Sequence, residues 1–283
     1  MKSSVLNAMT VDVEDFFHVS AFEEIIKPEQ WQDYQVRVDR NTRRLLDIFA
    51  KHNVKSTFFV LGWVAERYPE LIKEISKQGH EIASHGYAHR RASEQTREEF
   101  TADVLRSKNH LEDLLGEKLT GYRAPSFSIG YTNEWAFEVL AELGFGYSSS
   151  TYPVKHDLYG TPDWPRFAYK RPEGIVEIPI PTLKILGKQV PIGGGGYFRL
   201  YPYSVARKLV KQYLKKEQQP YSFYFHPWEI DPEQPHVQGA SFKSRFRHYL
   251  NLDKMEGRLE SLLTDFKWGT MKDVYNIDVV QKS

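Results

Sequence analysis

Residues 41–61 read NTRRLLDIFAKHNVKSTFFVL, a helix pattern followed directly by a strand pattern. The first part places four apolar side chains on one helical face, Leu45, Leu46, Ile48 and Phe49. The second part, Ser56–Leu61, is rich in aromatic and β-branched residues, which favour strands. The stretch therefore predicts a helix and the strand that follows it, which is the repeating unit of an α/β fold.

The same alternation continues on both sides of this stretch. A short β-prone run, Met9–Val13, precedes it. The elements predicted after it alternate between helix and strand: Pro69–Gln78, His80–Ala83, Arg97–Leu115, Leu119–Tyr122 and Asn133–Leu143. Repeated β-then-α units predict a mostly parallel sheet that is covered by helices and is closed or nearly closed.

The pattern changes between residues 152 and 219, which we interpret as an insertion. This stretch is rich in proline and aromatic residues and contains a glycine run at 193–196. Its predicted elements and those after it are Ile175–Ile180, Leu183–Val190, a helix over Ser204–Lys216, the strand SFYF at 222–225 and a helix over Leu252–Phe266. No linker or repeat separates these parts, so we expect a single domain over residues 1–283 with a helical C-terminal extension at about 232–283.

The composition excludes several classes of function. The 38 basic and 37 acidic residues leave a net charge of +1, too little positive potential for a nucleic-acid partner. No cysteine is present, so a metal site would use histidines and carboxylates. Residues 1–10 lack the apolar core of an export signal, and no apolar run of about 18 residues could span a bilayer. We therefore expect a cytoplasmic protein without a transmembrane segment, and the sequence leaves its oligomeric state open.

Acidic residues cluster where the first predicted strand ends, at Asp12-Val13-Glu14-Asp15. Side chains alternate along a strand, so Asp12 and Glu14 point to the same face. Two neighbouring carboxylates on one buried face are unfavourable unless a cation binds between them. In α/β barrels the chemistry lies where strands end and the following loops begin, so the cluster marks a candidate site.

Two histidines follow the third predicted strand. If Ser84 caps a helical turn, the four-residue spacing of His85 and His89 places both imidazoles on one face, where they can bind one divalent ion. Arg123 follows the next strand, and His226 follows the strand SFYF. Two imidazoles and one carboxylate leave coordination positions for water, a remaining carboxylate can act as base, and a separate histidine can protonate a leaving amine. The set is typical of metal-assisted hydrolysis.

Several stretches resemble the motifs of the polysaccharide deacetylases of the NodB-homology family, also called carbohydrate esterase family four. They are TVDVEDFF at 10–17, GHEIASHGYAH at 79–89, RAPS at 123–126 and HPWEID at 226–231. The opening motif, HPWEID and the C-terminal region are similar to the exosortase-associated branch. The resemblance implies a distorted (β/α) barrel, a divalent metal, usually zinc, and removal of acetyl from N-acetylated sugars. It leaves open whether zinc, cobalt or nickel is the working ion.

The resemblance also implies roles for individual residues. Asp12 corresponds to the catalytic base, and His226 corresponds to the catalytic acid. Arg123 corresponds to the arginine that orients the base, and Pro125 belongs to the same motif and is expected at the substrate site.

The metal ligands are implied by the first two motifs. His85 and His89 match the metal-binding histidines of the second motif. The first motif of the family commonly has adjacent aspartates, whereas Val13 separates the acids here. Some relatives have two acids separated by one residue, and this spacing implies Glu14 as the third metal ligand here. Asp15 is the alternative ligand.

One further departure concerns the fourth motif, which normally begins with an aspartate that buttresses the site. Ser148 stands at the matching position in Tyr147-Ser148-Ser149-Ser150, and a serine cannot supply that negative charge. The departure puts the catalytic efficiency in question and leaves the metal-binding set intact.

The interpreted insertion lies between the fourth and fifth motifs, so we expect it over the same rim. Arg199 follows the glycine run 193–196, and two interpretations stay open. The segment either closes on a substrate, with Arg199 meeting a phosphate or carboxylate, or is a flexible hairpin tip. Trp228 is expected to line the sugar site.

The leading hypothesis is a metal-dependent hydrolase that removes acetyl from an N-acetylated sugar. Its substrate would be an intermediate of exopolysaccharide biosynthesis, still on a lipid carrier at the cytoplasmic face of the membrane. Two alternatives stay open, an amidohydrolase acting on a small non-sugar amide and a non-catalytic carbohydrate-binding relative. A glycosidase fits less well, because two carboxylates alone perform that chemistry and the histidine pair would have no purpose.

Overall fold

The structure is a computed structural model that describes residues 5–155 and 160–277 of the chain. Its strands are β1 (Leu6–Val13), β2 (Thr57–Val60), β3 (Glu81–Ser84), β4 (Gly121–Tyr122), β5 (Tyr147–Ser148), β6 (Tyr169–Lys170), β7 (Val176–Glu177), β8 (Thr182–Ile185), β9 (Lys188–Pro191), β10 (Ser222–Phe225) and β11 (Lys267–Gly269). Its helices are α1 (Val38–His52), α2 (Gly62–Arg67), α3 (Pro69–Lys77), α4 (Arg97–Leu115), α5 (Trp135–Glu142), α6 (Gly195–Leu200), α7 (Tyr203–Glu217), α8 (Phe242–Tyr249), α9 (Leu252–Asp265) and α10 (Met271–Tyr275).

The strands of the described ranges form one curled sheet and one separate hairpin. The sheet has the order β10-β1-β2-β3-β4-β5-β7-β6, and β11 pairs with the beginning of β1. Its pairings are parallel apart from β6 with β7. The strands β8 and β9 form the hairpin. The predicted α/β fold with a mostly parallel, nearly closed sheet is confirmed as a curled half-barrel, and the C-terminal part is helical.

The core lies between this sheet and its helices. All residues of β2 are buried, and α1 turns its apolar face inward, with Leu45, Leu46 and Phe49 almost fully buried. Burial of such side chains is the main favourable contribution to folding. The helix α4 begins with a capping box between Thr96 and Glu99, which satisfies backbone N–H groups of the first turn.

Among the boundaries that differ from the sequence prediction, two are set by distant residues. The helix α1 begins at Val38 instead of Asn41, since the carboxylate of Asp15 accepts hydrogen bonds from the backbone N–H groups of Arg37 (2.5 Å) and Val38 (2.8 Å). The strand β1 begins at Leu6, and its added residues pair with β11.

The glycine run is not a flexible hairpin tip, which corrects that interpretation. Its last residues begin the helix α6, and the hairpin of this region is formed by β8 and β9 instead. A Cβ atom on Gly194 would lie 2.5 Å from Oη of Tyr224, and one on Gly195 would lie 2.3 Å from Oε1 of Glu229. Glycine is required at both positions because α6 packs directly against these side chains.

Parts of two predicted regions cannot be compared with the fold. Residues 156–159 of the interpreted insertion and 278–283 of the C-terminal extension lie outside the described residues. Within the described ranges, no helix combines the length and apolar character that crossing a membrane requires.

Candidate functional site

The ends of the parallel strands meet at a cavity of about 260 Å³. Loops that follow β1, β3, β4 and β10 line it, together with α6 and α8. Seven of the residues singled out from the sequence line this cavity: Asp12, Glu14, His85, His89, Arg199, His226 and Trp228. Parallel strands place their carboxyl ends at one edge, which is why residues far apart in the chain converge here.

Three of the predicted ligands come together as a candidate metal centre. One ligand atom each from Glu14, His85 and His89 lies within 4.8 Å of the others. Oε2 of Glu14 is 2.8 Å from Nε2 of His89. Nδ1 of His85 lies 2.8 Å from the carbonyl oxygen of Arg123, and an Nδ1–H that donates there leaves Nε2 as the ligand atom.

The two histidines do not converge through a helical turn, which corrects the predicted local geometry. The loop that carries them has left-handed backbone angles at Gly86 (φ 75°) and His89 (φ 51°). The carboxylate of Asp103 in α4 accepts hydrogen bonds from the backbone N–H groups of Tyr87 (2.8 Å) and Ala88 (3.2 Å). The loop is therefore held by α4, and its backbone turns bring both imidazoles toward Glu14.

The chemistry of this set fits a divalent ion. Oε2 of Glu14 is buried and has no hydrogen-bond partner among the described residues, although Nε2 of His89 lies close to it. Burial raises the pKa of Glu14, but the charges of His89 and His226 outweigh that effect and hold it well below its usual range. Burial lowers the pKa of His85 to about 4, so its imidazole is neutral near pH 7, the form that binds metals. One carboxylate and two imidazoles suit zinc.

The rival ligand, Asp15, lies outside this cluster. Its Oδ2 accepts the N–H groups of Arg37 and Val38 described above, and its Oδ1 accepts the N–H of Phe16 at 2.9 Å. Burial raises the pKa of Asp15 to about 6. The structure gives Asp15 a role in anchoring the start of α1 and brings Glu14 to the histidines.

Asp12 and Arg123 form a buried ion pair at the edge of the cluster. Oδ1 of Asp12 lies 2.6 Å from Nη1 of Arg123, and neither side chain is exposed beyond 3%. Arg123 also donates to the hydroxyl of Thr10 (2.9 Å) and to the carbonyl (3.2 Å) and hydroxyl (3.1 Å) oxygens of Ser149. The arginine is thereby held in one orientation, and Oδ2 of Asp12 faces Nε2 of His226 at 4.0 Å.

His226 lies on the other side of Glu14. Its Nε2 is 3.3 Å from Oε1 of Glu14, and its Nδ1 is 2.8 Å from Oε1 of Glu229. Burial lowers the pKa of His226, but the negative charges of Glu14, Glu229 and Asp12 outweigh it and raise the pKa to about 9. The side chain therefore carries a proton near neutral pH.

Two buried carboxylates that the sequence analysis did not assign support this site. Glu229 contacts His226 as described, and its position three residues later in HPWEID is a signal that could have revealed it. Glu177 of β7 accepts hydrogen bonds from the backbone N–H groups of Ser150 (3.0 Å) and Thr151 (2.9 Å). Ser148 and Glu177 are register partners in β5 and β7, so a carboxylate from the next strand lies beside the serine. No local pattern could reveal that register.

Arg199 is not available for the role predicted for it. Its Nε donates to Oε2 of Glu229 at 2.7 Å, and its other nitrogens donate to the carbonyl oxygens of Arg247 (3.2 Å), His248 (2.8 Å) and Leu250 (2.8 Å). The side chain is only 2% exposed. It links Glu229 to the C-terminal end of α8 and is not placed to meet a substrate anion.

Of the two remaining residues predicted to contact substrate, one lines the cavity and the other does not. Trp228 lines the cavity and stacks between two imidazoles, with ring centroids 5.2 Å from His226 and 4.1 Å from His248. Pro125 is buried at the start of a short 3-10 turn and does not line the cavity. Phe127 and Tyr224, which the sequence analysis did not single out, line it instead.

Two family models match consecutive parts of the chain. Residues 31–148 match the family model "Polysaccharide deacetylase". This part of the chain is similar to the polysaccharide deacetylases. Residues 149–276 match a second model, "Domain of unknown function (DUF3473)".

Two curated relatives and one solved structure illustrate the likeness. The chain is 34% identical to a peptidoglycan-N-acetylglucosamine deacetylase of Bacillus cereus over 104 residues, which are 37% of this chain and 47% of the relative. It is 34% identical to a chitin deacetylase of Arthroderma benhamiae over 131 residues, 43% of this chain and 33% of the relative. The matched parts are therefore less than half of these relatives.

The solved structure comes from Mycobacterium smegmatis and is titled as a polysaccharide deacetylase. It superposes with a TM-score of 0.61 at 20% identity, covering 98% of this chain and 91% of the other. At this identity the likeness concerns the fold, which it supports over almost the whole chain.

Proposed function

We propose that this chain is a metal-dependent N-deacetylase that hydrolyses the acetamide of an N-acetylated sugar. The observation that carries the proposal is the convergence of two charged pairs on the Glu14, His85 and His89 cluster. Asp12 with Arg123 and His226 with Glu229 both reach this cluster inside one cavity. A base, an acid and a metal centre within reach of one another are what hydrolysis of an unreactive amide requires.

The roles follow from the geometry of each side chain. Glu14, His85 and His89 would hold a divalent ion, most simply zinc, which would supply Lewis acidity toward the acetyl carbonyl and the attacking water. Asp12 accepts a proton from that water at Oδ2, because Oδ1 is held by Arg123.

The second proton transfer belongs to His226. Its Nε2 donates a proton to the sugar nitrogen as the carbon–nitrogen bond breaks, which releases acetate and a free amine. Its Nδ1 faces Glu229, whose charge stabilises the imidazolium and fixes the ring. The proton gained by Asp12 and the proton lost by His226 return through solvent, so the enzyme is restored.

The lining of the cavity supports a saccharide as the substrate. The rings of Phe127, Tyr224 and Trp228 lie beside the charged groups, and aromatic faces pack well against sugar rings. The likeness to a peptidoglycan-N-acetylglucosamine deacetylase and to a chitin deacetylase points to an N-acetylated glycan as well. The likeness of TVDVEDFF and HPWEID to the exosortase-associated branch favours a lipid-linked exopolysaccharide precursor at the cytoplasmic face of the membrane.

An acetate-release assay tests the proposal. Zinc-loaded protein is incubated with oligomers of N-acetylglucosamine, and in a separate reaction the ring opening of a small cyclic amide such as allantoin is followed. We expect acetate from the oligomers, no turnover of the small amide, and loss of acetate release in His226→Ala. Turnover of the small amide alone would favour the amidohydrolase alternative. Binding of the oligomers without release would favour a non-catalytic carbohydrate-binding relative.

A further inference from the structure

Five segments of the chain surround the cavity, and each of them contacts the next. One is the turn that follows β1, Ser20–Phe22. Its hydroxyl Oγ of Ser20 lies 2.6 Å from Oγ of Ser126, which belongs to the turn after β4. Its ring of Phe22 packs against the ring of His248 in α8, with centroids 4.6 Å apart. The turn after β1 is therefore joined to a neighbouring segment on each side.

The other side of the cavity is closed in the same way. Arg199 joins α6 to α8, because it donates to the carbonyl oxygen of His248 at 2.8 Å. The residues that lead into α6 contact the end of β10, where the backbone N–H of Tyr224 donates to the carbonyl oxygen of Gly193 at 2.9 Å. The ring of Tyr224 meets that of Phe127, in the turn after β4, edge to face at 4.8 Å. The five segments thus form a continuous wall around the cavity.

The reactive groups lie inside this wall. Asp12, Glu14 and His85 line the cavity and are each only 2% exposed, so a substrate reaches them through the cavity. A polymer that lies across such a site needs an opening on each side of the reacting unit, and a continuous wall provides neither. The volume of about 260 Å³ is below the roughly 300–1,000 Å³ of pockets that bury a drug-sized ligand, which suits a single sugar unit.

We propose that this cavity takes its saccharide end-on, so that acetyl is removed from a terminal N-acetylated unit and not from units inside a chain. The inference rests on the proposed function and names its substrate class, a saccharide with a free N-acetylated end. The terminal unit occupies the cavity with its acetamide toward Glu14, and the remaining units extend into solvent. Because attraction requires close contact between atoms, the units outside the wall add little to the affinity.

The position of the lost acetyl group tests this on the zinc-loaded wild type. Two hexamers of N-acetylglucosamine are compared, one unmodified and one that carries a bulky group at both ends. Their internal units are identical, so the blocked hexamer is a matched control. Mass spectrometry should show at most one acetyl lost from the unmodified hexamer, from a terminal unit, and none lost from the blocked one. Loss of acetyl from an internal unit, or equal release from both hexamers, would overturn the inference.

Binding measured apart from turnover separates a failure of this inference from a failure of the proposed function. Zinc-loaded His226→Ala, with its fold checked by circular dichroism, is titrated calorimetrically with the dimer and with both hexamers. We expect the Kd values of the dimer and the unmodified hexamer to agree within about threefold, and the blocked hexamer to bind at least about tenfold more weakly.

The outcomes of the titration differ for the two proposals. A hexamer that binds at least about tenfold more tightly than the dimer would overturn end-on binding, whether or not the wild type releases acetate. So would a blocked hexamer that binds as well as the unmodified one. Equal binding of the dimer and the unmodified hexamer with weak binding of the blocked one, but without acetate release by the wild type, would support end-on binding and contradict the deacetylase. Absence of binding by all three saccharides would contradict both proposals.

Discussion

Nδ1 of His226 lies 2.8 Å from Oε1 of Glu229, and Oε2 of the same carboxylate accepts a hydrogen bond from Arg199. All three side chains belong to the wall of the cavity. A carboxylate at this position stabilises the charged imidazolium and keeps Nε2 directed toward Glu14. Glu229 thereby supplies negative charge to His226 from within the HPWEID stretch, separately from the Glu177 carboxylate that lies beside Ser148.

Replacing Glu229 by glutamine should impair proton donation by His226. We expect kcat for an N-acetylated oligosaccharide to fall about 10- to 100-fold, because an amine leaves only when it is protonated. Hydrolysis of an aryl acetate ester should fall much less, since a phenolate leaves without a proton. Both rates are measured on zinc-loaded protein, with metal content and melting temperature as controls. An equal loss for both substrates in a folded, metal-loaded variant would contradict this role.

The packing of α6 predicts an effect at a glycine outside the motifs. In Gly195→Ala the new methyl group would lie 2.3 Å from Oε1 of Glu229, so either the carboxylate or α6 must move. We expect a fall in kcat of about tenfold or more, together with a lower melting temperature. Gly257→Ala is the matched control, because nothing lies within 4 Å of its new Cβ atom in α9. Wild-type kinetics in Gly195→Ala would show that Glu229 does not need its observed position.

Local sequence patterns predicted the repeating helices and strands well. They failed where contacts with residues distant in sequence determine a boundary or a side-chain position. The bounds of α4, Arg97–Leu115, were predicted correctly, because the residues that start and end this helix lie next to it in the sequence. The start of α1 depends on Asp15, which lies 23 residues before Val38. A window of the length of one helix or strand does not contain both groups.

The candidate site likewise has features that the sequence predicts and features that depend on distant contacts. The strand-end acids and histidines were predicted to meet, because parallel strands end at one edge of a sheet. The conformation of the loop that carries His85 and His89 was not predicted, because it depends on a positive φ at His89 and on the carboxylate of Asp103 in α4. Arg199 was misinterpreted because its partners include carbonyl oxygens of α8, about fifty residues away in sequence.

A buried histidine away from the site predicts a pH dependence of stability. Nδ1 of His80 accepts the backbone N–H of Ser56 at 3.2 Å, and burial lowers the pKa of His80 from 6.5 to about 4. The unfolded chain therefore binds this proton more readily than the folded chain. The stability that a neutral His80 provides is complete above about pH 6.5 and is lost as the pH falls toward 4.

The variant His80→Asn tests this, because its side-chain oxygen can still accept the same N–H group. Between about pH 8 and pH 5 the wild type should lose about 2 kcal/mol of unfolding free energy through His80, and the variant should lose that much less. Urea unfolding at both pH values measures the difference. Two pH profiles that run parallel would show that His80 is not protonated on unfolding.

The central claim is that Glu14, His85 and His89 bind one divalent ion, and metal analysis of two matched variants tests it most directly. Glu14→Gln and Asp15→Asn each remove one negative charge from adjacent buried positions. Zinc titration of the apo proteins should give one ion per chain for the wild type and for Asp15→Asn, and binding at least about 100-fold weaker for Glu14→Gln. Full zinc affinity in Glu14→Gln, with loss of zinc in a folded Asp15→Asn, would contradict the account.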